Sequence, residues 1–315
     1  MKALICGVNG QDGAYLGSLL LGKGYEVWGT SRDVQSSAMN NLTILGIADQ
    51  IQQLSMAPND FRSVFSALDR SDPDEVYSLA GQSSVGLSFE QPAETLESII
   101  SGTLNMLEVL RLRRKRTRLY HAGSSECFGD TGGTLANEET PFRPRSPYAV
   151  AKASAHWLVA NYRESYGLYA STGILFNHES PLRPRRYVTQ KIIQAARRIV
   201  AGSDERLALG RLDIQRDWGW APEYVVAMWR MLQMDVPRDL VIATGQSHSL
   251  QEFVAQAFAL HDLDWRAHVD ISDHFLRPTD IAFSGGRPDA AAAEIGWQAR
   301  LKMTDVVYRM MSLDK

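Results

Sequence analysis

The stretch "GVNGQDG", residues 7–13, follows the short apolar run "KALIC" and leads straight into the helical pattern "AYLGSLLLGKG". Three glycines at a GxxGxxG spacing, Gly7, Gly10 and Gly13, make a tight turn between a strand and a helix in which no side chain keeps the backbone from a ligand. Backbone N–H groups and a helix N-terminus then converge on one point, which suits an anion. At the head of a βαβ unit the anion expected is the pyrophosphate of a dinucleotide. Gln11 and Asp12, inside the same turn, are expected at the cofactor with the glycines. Glycine turns are common between strands and helices, so the weight of the pattern comes from its place after the first strand.

Outward from this turn, short apolar runs alternate with longer segments of helical period. The strand candidates are "KALICGV", "YEVWGTS", "QIQQLSM", "DEVYSLAG", "RLYHAGSS", "YASTGILFN" and "DLVIATG". Near-continuous apolar runs of this length belong to strands covered on both faces. The fold class expected is α/β, a Rossmann-like doubly wound parallel sheet with a smaller discontinuous lobe. After residue 177 the texture changes to Pro, Arg and His in "HESPLRPRRYVT". Residues 1–177 and 218–260 are therefore assigned to a dinucleotide-binding domain. Residues 178–217 and 261–315, too fragmentary to fold alone, are assigned to a lobe capping the sheet's C-terminal edge.

The chain has 315 residues, a formal charge of −3, 44% hydrophobic and 22% charged residues. That balance gives no electrostatic reason to expect nucleic acid or an anionic membrane as a partner. The basic run "RLRRKRTR", residues 111–118, follows an apolar helical pattern and reads as cations at a helix C-terminus facing water. Two cysteines, Cys6 and Cys127, offer no disulfide framework, and no stretch approaches the ~20 apolar residues of a membrane span. A cytoplasmic protein is expected. None of the seven histidines falls into a metal-ligand spacing, so no metal site is expected, and His121 and His178 read as satisfied buried histidines beside a cleft. The Met and Trp residues of "AMWRMLQM" repeat at helical spacing and read as core.

An NAD site presents an acid to the ribose 2′-hydroxyl at the end of the second strand, whereas a 2′-phosphate favours a cation. Here "YEVWG" ends in Thr30, Ser31 and Arg32. Arg32 with two hydroxyls suits NADP; Asp33, one step on, keeps NAD possible.

The chemical centre is read from "SPYAVAK", where Tyr148 and Lys152 stand four residues apart after a proline suited to a helix start. A phenol near pKa 10 is a poor base at neutral pH, and lowering it by about 3 units takes ~4 kcal/mol. A single ammonium at about 4 Å gives roughly that much at an effective dielectric near 20. The lysine and the positive charge of a nicotinamide together make Tyr148 a working base.

With GxxGxxG, a serine pair after a strand and YxxxK in this order, the chain resembles the extended short-chain dehydrogenase/reductase family. In that family a serine or threonine hydroxyl pairs with the tyrosine at the reacting hydroxyl, and the matching position is Ser124. "GQDGAYL", "LAGQSSVGLSFEQP", "SSECFG", "TPFRPRSPYAVAK", "GILFNHESP" and "RDWGWAPEYV" make the chain similar to GDP-mannose 4,6-dehydratases in particular, over nearly its whole length. A reductase or 4-epimerase needs one base. A 4,6-dehydratase must also remove the proton at carbon 5 once carbon 4 is a ketone and then expel water from carbon 6. Glu126, two residues beyond Ser124, is aimed the same way by a strand's alternation and is the expected second base.

The resemblance implies a nucleotide-sugar substrate and a tightly held NADP. It places Asn177, Val188 and Lys191 on the GDP side and Arg216 and Arg277 at the diphosphate, where the guanidinium fork pairs with phosphate oxygens. Each arginine has a scaffold alternative, Arg216 with Asp217 and Arg277 with Asp280. Ser83 of "GQSS" is expected at the sugar or the cofactor. Some positions depart from the family pattern: Ser124 replaces a threonine, Ser55 an aspartate at the adenine, and Arg211 an asparagine near the base. The loop at residues 30–41 lacks a second arginine. In relatives that loop reaches a neighbouring subunit, so a homodimer, built on the long helices at 92–114 and 147–166, is better supported than a homotetramer. The competing readings are an epimerase or 4-keto reductase of the same family, and a catalytically idle NADP-sensing regulator.

Overall fold

The computed structural model describes residues 1–34, 40–113, 115–275 and 277–312, so Arg114 and residues 35–39 of the 30–41 loop lie outside the described residues. Strands and helices alternate from the start: β1 (Lys2–Cys6), α1 (Gln11–Gly22), β2 (Glu26–Ser31), α2 (Asn40–Ile44), β3 (Gln52–Ser55), α3 (Phe61–Ser71) and β4 (Glu75–Ser78). Then come α4 (Val85–Glu90), α5 (Pro92–Leu96), α6 (Gly102–Leu112), β5 (Arg118–Ala122), α7 (Pro147–Tyr166) and β6 (Ala170–Leu175). The chain continues through β7 (Asn177–Glu179), α8 (Val188–Val200), β8 (Leu207–Leu209), β9 (Gln215–Trp220), α9 (Ala221–Met231) and β10 (Leu240–Ile242). It closes with β11 (Ser247–Ser249), α10 (Leu250–Ala259), β12 (Val269–Ile271), β13 (Phe283–Ser284), α11 (Asp289–Ile295) and α12 (Met303–Ser312).

All seven strands expected from the sequence form one parallel sheet in the order β10-β6-β5-β4-β1-β2-β3. Every residue of β6, "ASTGIL", is buried, as a strand covered on both faces requires. The strand order reverses beside β1, and the crevice at the strands' carboxyl ends is where open sheets of this kind bind ligands. Helices on one face pack through Leu16, Leu20, Met228 and Met231, and on the other through Val64, Leu68, Leu107 and Val159. Met228 and Met231 of the Met-Trp helix are thus core, as the spacing implied. The helix expected at 92–114 runs from Pro92 to Leu112 with a wider π turn at Glu97–Ser101 between α5 and α6.

A second core gathers α8, β8, β9, α10, β12 and α12 around Ile192, Leu209, Trp218, Phe253, Phe258 and Val306. Its strands are few: β9 pairs β7, β11 and β13, and β8 pairs β12. The packing departs from the sequence boundaries in two places. Helix α10, assigned with the large domain, buries Leu250, Phe253 and Phe258 in the second core, because its capping box at Ser249 and Glu252 starts it just after β11, an edge of the second sheet. Conversely α11, assigned to the lobe, buries Ala291 against α9 and β10 and carries Trp297 into the first core. The basic run also differs from a water-facing group of cations. Arg111 pairs with Glu108 one turn back on α6, and Arg113 with Asp72 and Lys115 with Asp72 and Asp74, acids of the connection between α3 and β4.

Candidate active site

The glycine turn has the shape its spacing implied. Gly7 has φ +87°, and a Cβ there would stand 3.2 Å from the backbone of Ala80. A Cβ on Gly13 would lie 2.3 Å from the Gly7 carbonyl oxygen, so helix and strand approach as closely as bare backbone permits. Gly10, at the N-cap of α1, supplies no side-chain cap, which leaves the first N–H groups of the helix facing the crevice. A pyrophosphate fits this cradle.

Gln11 stands in the turn expected to hold the cofactor. Its side chain is buried and committed inside the protein: the amide donates to the His178 carbonyl (3.1 Å) and to Asp12 (3.0 Å), and its oxygen accepts from the Ser180 hydroxyl (2.7 Å). Only the backbone of Gln11 is left for a cofactor. Asp12 lines the crevice with its carboxylate 3.0 Å from His178 Nε2, and His178 Nδ1 lies 2.7 Å from the Phe176 carbonyl oxygen. Burial opposes the Asp12 charge, but His178, the Gln11 amide and Arg183 together outweigh it and hold the carboxyl below its usual range. Burial likewise opposes the His178 cation, and Asp12 outweighs it in the other direction. His178 is thus the satisfied histidine expected. His121 is not: it is buried, neither ring nitrogen has a hydrogen-bond partner, and burial with Lys152 nearby drives its pKa down.

At the end of β2, the Arg32 side chain is 85% exposed, with Glu94 at 3.8 Å. Among the described residues the buried Ser31 hydroxyl has no hydrogen-bond partner, and Ser55 accepts from the Val34 N–H at 3.2 Å. A guanidinium held in water next to a spare hydroxyl suits a 2′-phosphate.

The reacting groups come from two segments. Helix α7 is started by Ser146, whose hydroxyl accepts from the Ala149 N–H (3.1 Å), and by Pro147 in the first turn, so Tyr148 and Lys152 project from one face. Lys152 Nζ donates to the Ala122 carbonyl at the end of β5 (2.8 Å) and stands 5.9 Å from the Tyr148 ring centroid. Past β5, residues Ser125–Phe128 coil into a 3₁₀ turn with Ser124 at its N-cap, the hydroxyl accepting from the Glu126 N–H at 3.3 Å. The alternation argument for Glu126 therefore fails, because the strand has ended. The turn nevertheless brings its carboxylate into the same cavity as Ser124, Tyr148 and Lys152.

Burial sets the electrostatics. It pushes the Tyr148 phenol above its ordinary range, opposed by a hydrogen bond with Ser124, and lowers Lys152 to about 8. It raises the Glu126 carboxyl, with Arg216 and Arg277 pulling the other way. A carboxyl raised in this way is a better proton acceptor than a solvated one.

The cavity has a volume of about 830 Å³ and is also lined by Ser83, Asn177, Val188, Lys191, Arg216 and Arg277. Arg216 carries a correction, and Arg277 takes the scaffold partner named for it. Arg216 donates to the carbonyl oxygens of Gln215 (2.9 Å) and Ile281 (2.7 Å), and both guanidinium groups approach Asp280, at 3.3 and 3.9 Å. The scaffold partner of Arg216 is thus Asp280. Asp217 instead accepts the N–H groups of Thr244 and Gly245, since β9 points it to the other side. Arg211 is held bidentately by Asp213 at 2.9 and 2.6 Å on the cavity wall. The sequence reading missed Arg183 and Tyr187, which line the cavity between Asn177 and Val188. The run "PLRPRRY" was the available signal, taken only as a change of texture.

Comparison with known proteins follows the same geometry. Residues 4–310 match the family model described as GDP-mannose 4,6 dehydratase. The chain is 42% identical to GDP-mannose 4,6 dehydratase 1 of Arabidopsis thaliana over 322 residues, covering 99% of this chain and 89% of that one. It is 42% identical to the GDP-mannose 4,6-dehydratase of Sinorhizobium fredii over 342 residues, covering 99% and 96%. In three dimensions it matches a dTDP-glucose 4,6-dehydratase from Bacillus anthracis in complex with NAD, with a TM-score of 0.86 at 17% identity over 99% of this chain and 95% of that one, a likeness of fold. With a glycine cradle, a Ser-Tyr-Lys group and a facing carboxylate in one crevice, the chain belongs to the GDP-mannose 4,6-dehydratase family.

Proposed function

We propose that the chain converts GDP-mannose to GDP-4-keto-6-deoxymannose. The observation that carries this reading is the presence of Glu126 and Tyr148 in one cavity with Ser124, which gives two proton acceptors for neighbouring carbons of one sugar ring. Tyr148 takes the proton of the carbon 4 hydroxyl, which Ser124 orients. Lys152 stabilises the phenolate and is placed to hold the nicotinamide ribose. NADP, held by the backbone of residues 7–13 and by Arg32, supplies when bound a temporary hydride acceptor that is restored by the end of the cycle. The new ketone acidifies carbon 5, Glu126 removes that proton and delivers it to the hydroxyl that leaves carbon 6 as water, and a proton drawn from solvent then returns to carbon 5 as carbon 6 becomes a methyl group. Burial favours the first half of that transfer, since it makes the carboxylate a stronger base.

On the nucleotide side the reading assigns Asn177, Val188 and Lys191 to GDP, with Ser83 at the sugar. Arg277, about one third exposed, meets the diphosphate from its loose pairing with Asp280, and Arg216 supports it from behind. Residues 1–177 with 221–246 and 289–299 form the cofactor-binding unit, and the remainder binds the nucleotide sugar. The apolar side chains of Leu104, Leu112, Trp157 and Tyr166, exposed on α6 and α7, support a homodimer through those helices. Two buried free thiols, Cys6 and Cys127, suit the cytoplasm.

Incubation with GDP-mannose and NADP tests the reading. The product is expected to be lighter by one water and, in deuterated water, to carry deuterium at carbon 5. Epimerisation or reduction without loss of water would replace the dehydratase reading with that of another nucleotide-sugar enzyme.

A further inference from the structure

In the cavity that holds Tyr148 two further hydroxyls meet: Ser83 Oγ and Tyr187 Oη lie 2.7 Å apart. They are 104 residues apart in the chain, one on the loop after β4 and the other at the N-cap of α8, so the contact joins the two sides of the crevice. The Tyr187 ring is fixed by its surroundings. Arg183 lies over it with the guanidinium carbon 3.9 Å from the ring centroid, Arg183 is ion-paired to Glu179 (3.4 Å), and Glu179 accepts from Thr189 (2.7 Å). The phenol is therefore held by a stacked cation on a buried scaffold, and its hydroxyl, with Ser83 as its partner, opens on the cavity.

A hydroxyl pair uses one proton in its own hydrogen bond. The second proton and the remaining lone pairs face whatever enters. A wall of this kind suits a secondary hydroxyl, which donates and accepts at once and so uses both the free proton and a lone pair; a phosphate oxygen uses only the proton, and an apolar carbon neither. Of the cavity's cations, Arg183 over the Tyr187 ring is paired to Glu179, while Lys191, one helical turn on from Tyr187, and Arg277 suit phosphate.

We propose that Tyr187 is a substrate-binding residue which, together with Ser83, receives a ring hydroxyl of the sugar and so fixes the hexose against Tyr148 and Ser124. The assignment rests on the nucleotide-sugar reading of the cavity, and it makes Tyr187 a determinant of sugar specificity and not of nucleotide affinity.

The test separates sugar from nucleotide and does not depend on turnover. In a Tyr148→Phe background, where sugar is bound and not consumed, the affinities for GDP-mannose and for GDP are measured by calorimetry with and without the further change Tyr187→Phe. Loss of one hydroxyl partner is expected to weaken GDP-mannose about 5- to 20-fold and to leave GDP within about twofold. Ser83→Ala, which spares the ring and its cation, is expected to act in the same direction, and the two changes together to cost less than the product of their separate effects. In the otherwise unaltered enzyme Tyr187→Phe is expected to raise KM more than it lowers kcat. Equal weakening of GDP and GDP-mannose would make Tyr187 a structural residue, and no weakening of either would remove it from the site. Both results overturn the proposal. Failure of the unaltered enzyme to release water from GDP-mannose bears separately on the dehydratase reading.

Discussion

Replacing Lys152 by methionine removes the ammonium and keeps most of the side chain's volume. In the structure Nζ stands 5.9 Å from the Tyr148 ring centroid. At an effective dielectric near 20, a unit charge at that separation stabilises the phenolate by about 3 kcal/mol, or about 2 pH units. This is less than the ~4 kcal/mol that a working base at neutral pH requires, and burial of Tyr148 adds to the deficit. The nicotinamide's own charge must therefore supply the remainder. The expected result for Lys152→Met at pH 7 is a fall in kcat of about 100-fold, because the phenolate fraction drops by that factor below its pKa. Lys152 also shapes the alkaline side of the profile. Its pKa is lowered to about 8 by burial, so the ammonium is present below pH 8 and lost above it. The unaltered enzyme should accordingly lose kcat/KM as pH rises through about 8, and Lys152→Met should lack that limb and recover activity toward higher pH. Steady-state kinetics from pH 6 to 10, with cofactor affinity measured in parallel so that weak binding is not taken for slow chemistry, gives both quantities. A loss smaller than about tenfold at pH 7, or an alkaline limb that survives the substitution, would refute the electrostatic role assigned to the lysine.

Glu126→Gln keeps the shape of the side chain and removes the base; it is expected to lower dehydration by 10²- to 10⁴-fold, in the range of roughly that size found for general bases, and to abolish deuterium incorporation at carbon 5, read by mass spectrometry. In the unaltered enzyme the acid limb of the pH profile should lie above the usual carboxylate range, since burial raises the Glu126 pKa and protonation removes the base. Arg32→Ala should weaken NADP by about tenfold and leave NAD nearly unchanged in a fluorescence titration, as loss of a charge-assisted contact to one phosphate implies. Gly13→Ala puts a methyl carbon 2.3 Å from the Gly7 carbonyl oxygen and should abolish cofactor binding or lower the melting temperature by several degrees in a thermal scan.

The fold was legible because its signals are local. Glycines at 7, 10 and 13, a proline at 147 and apolar runs covered on both faces each state their own geometry, and the seven strands form where those runs lie. The Tyr148–Lys152 pair was legible for the same reason, since four residues along a helix bring two side chains to one face. The places where the reading fell short depend on distant partners. Gln11 is held by residues 178 and 180, Arg216 by Asp280 and Ile281, and Tyr187 by Ser83, none of which is near in sequence. Glu126 reached the right cavity by a turn that strand alternation does not describe. Helices α10 and α11 changed cores because the chain crosses between the two units several times, and amphipathic pattern alone names a buried face without naming what buries it.

The bonds from Gln11 and Asp12 to residues 178 and 180 fasten the phosphate cradle to β7, and β7 pairs with β9 of the second sheet. An enzyme that must exchange its redox partner every cycle needs a doorway that opens independently of its substrate. Here the first helical turn is bonded to a strand that lines the substrate cavity, so letting one guest go disturbs the seat of the other. Such an arrangement favours a resident coenzyme that outlasts many visits by the sugar nucleotide, which is what a catalyst with no net need of reducing power requires.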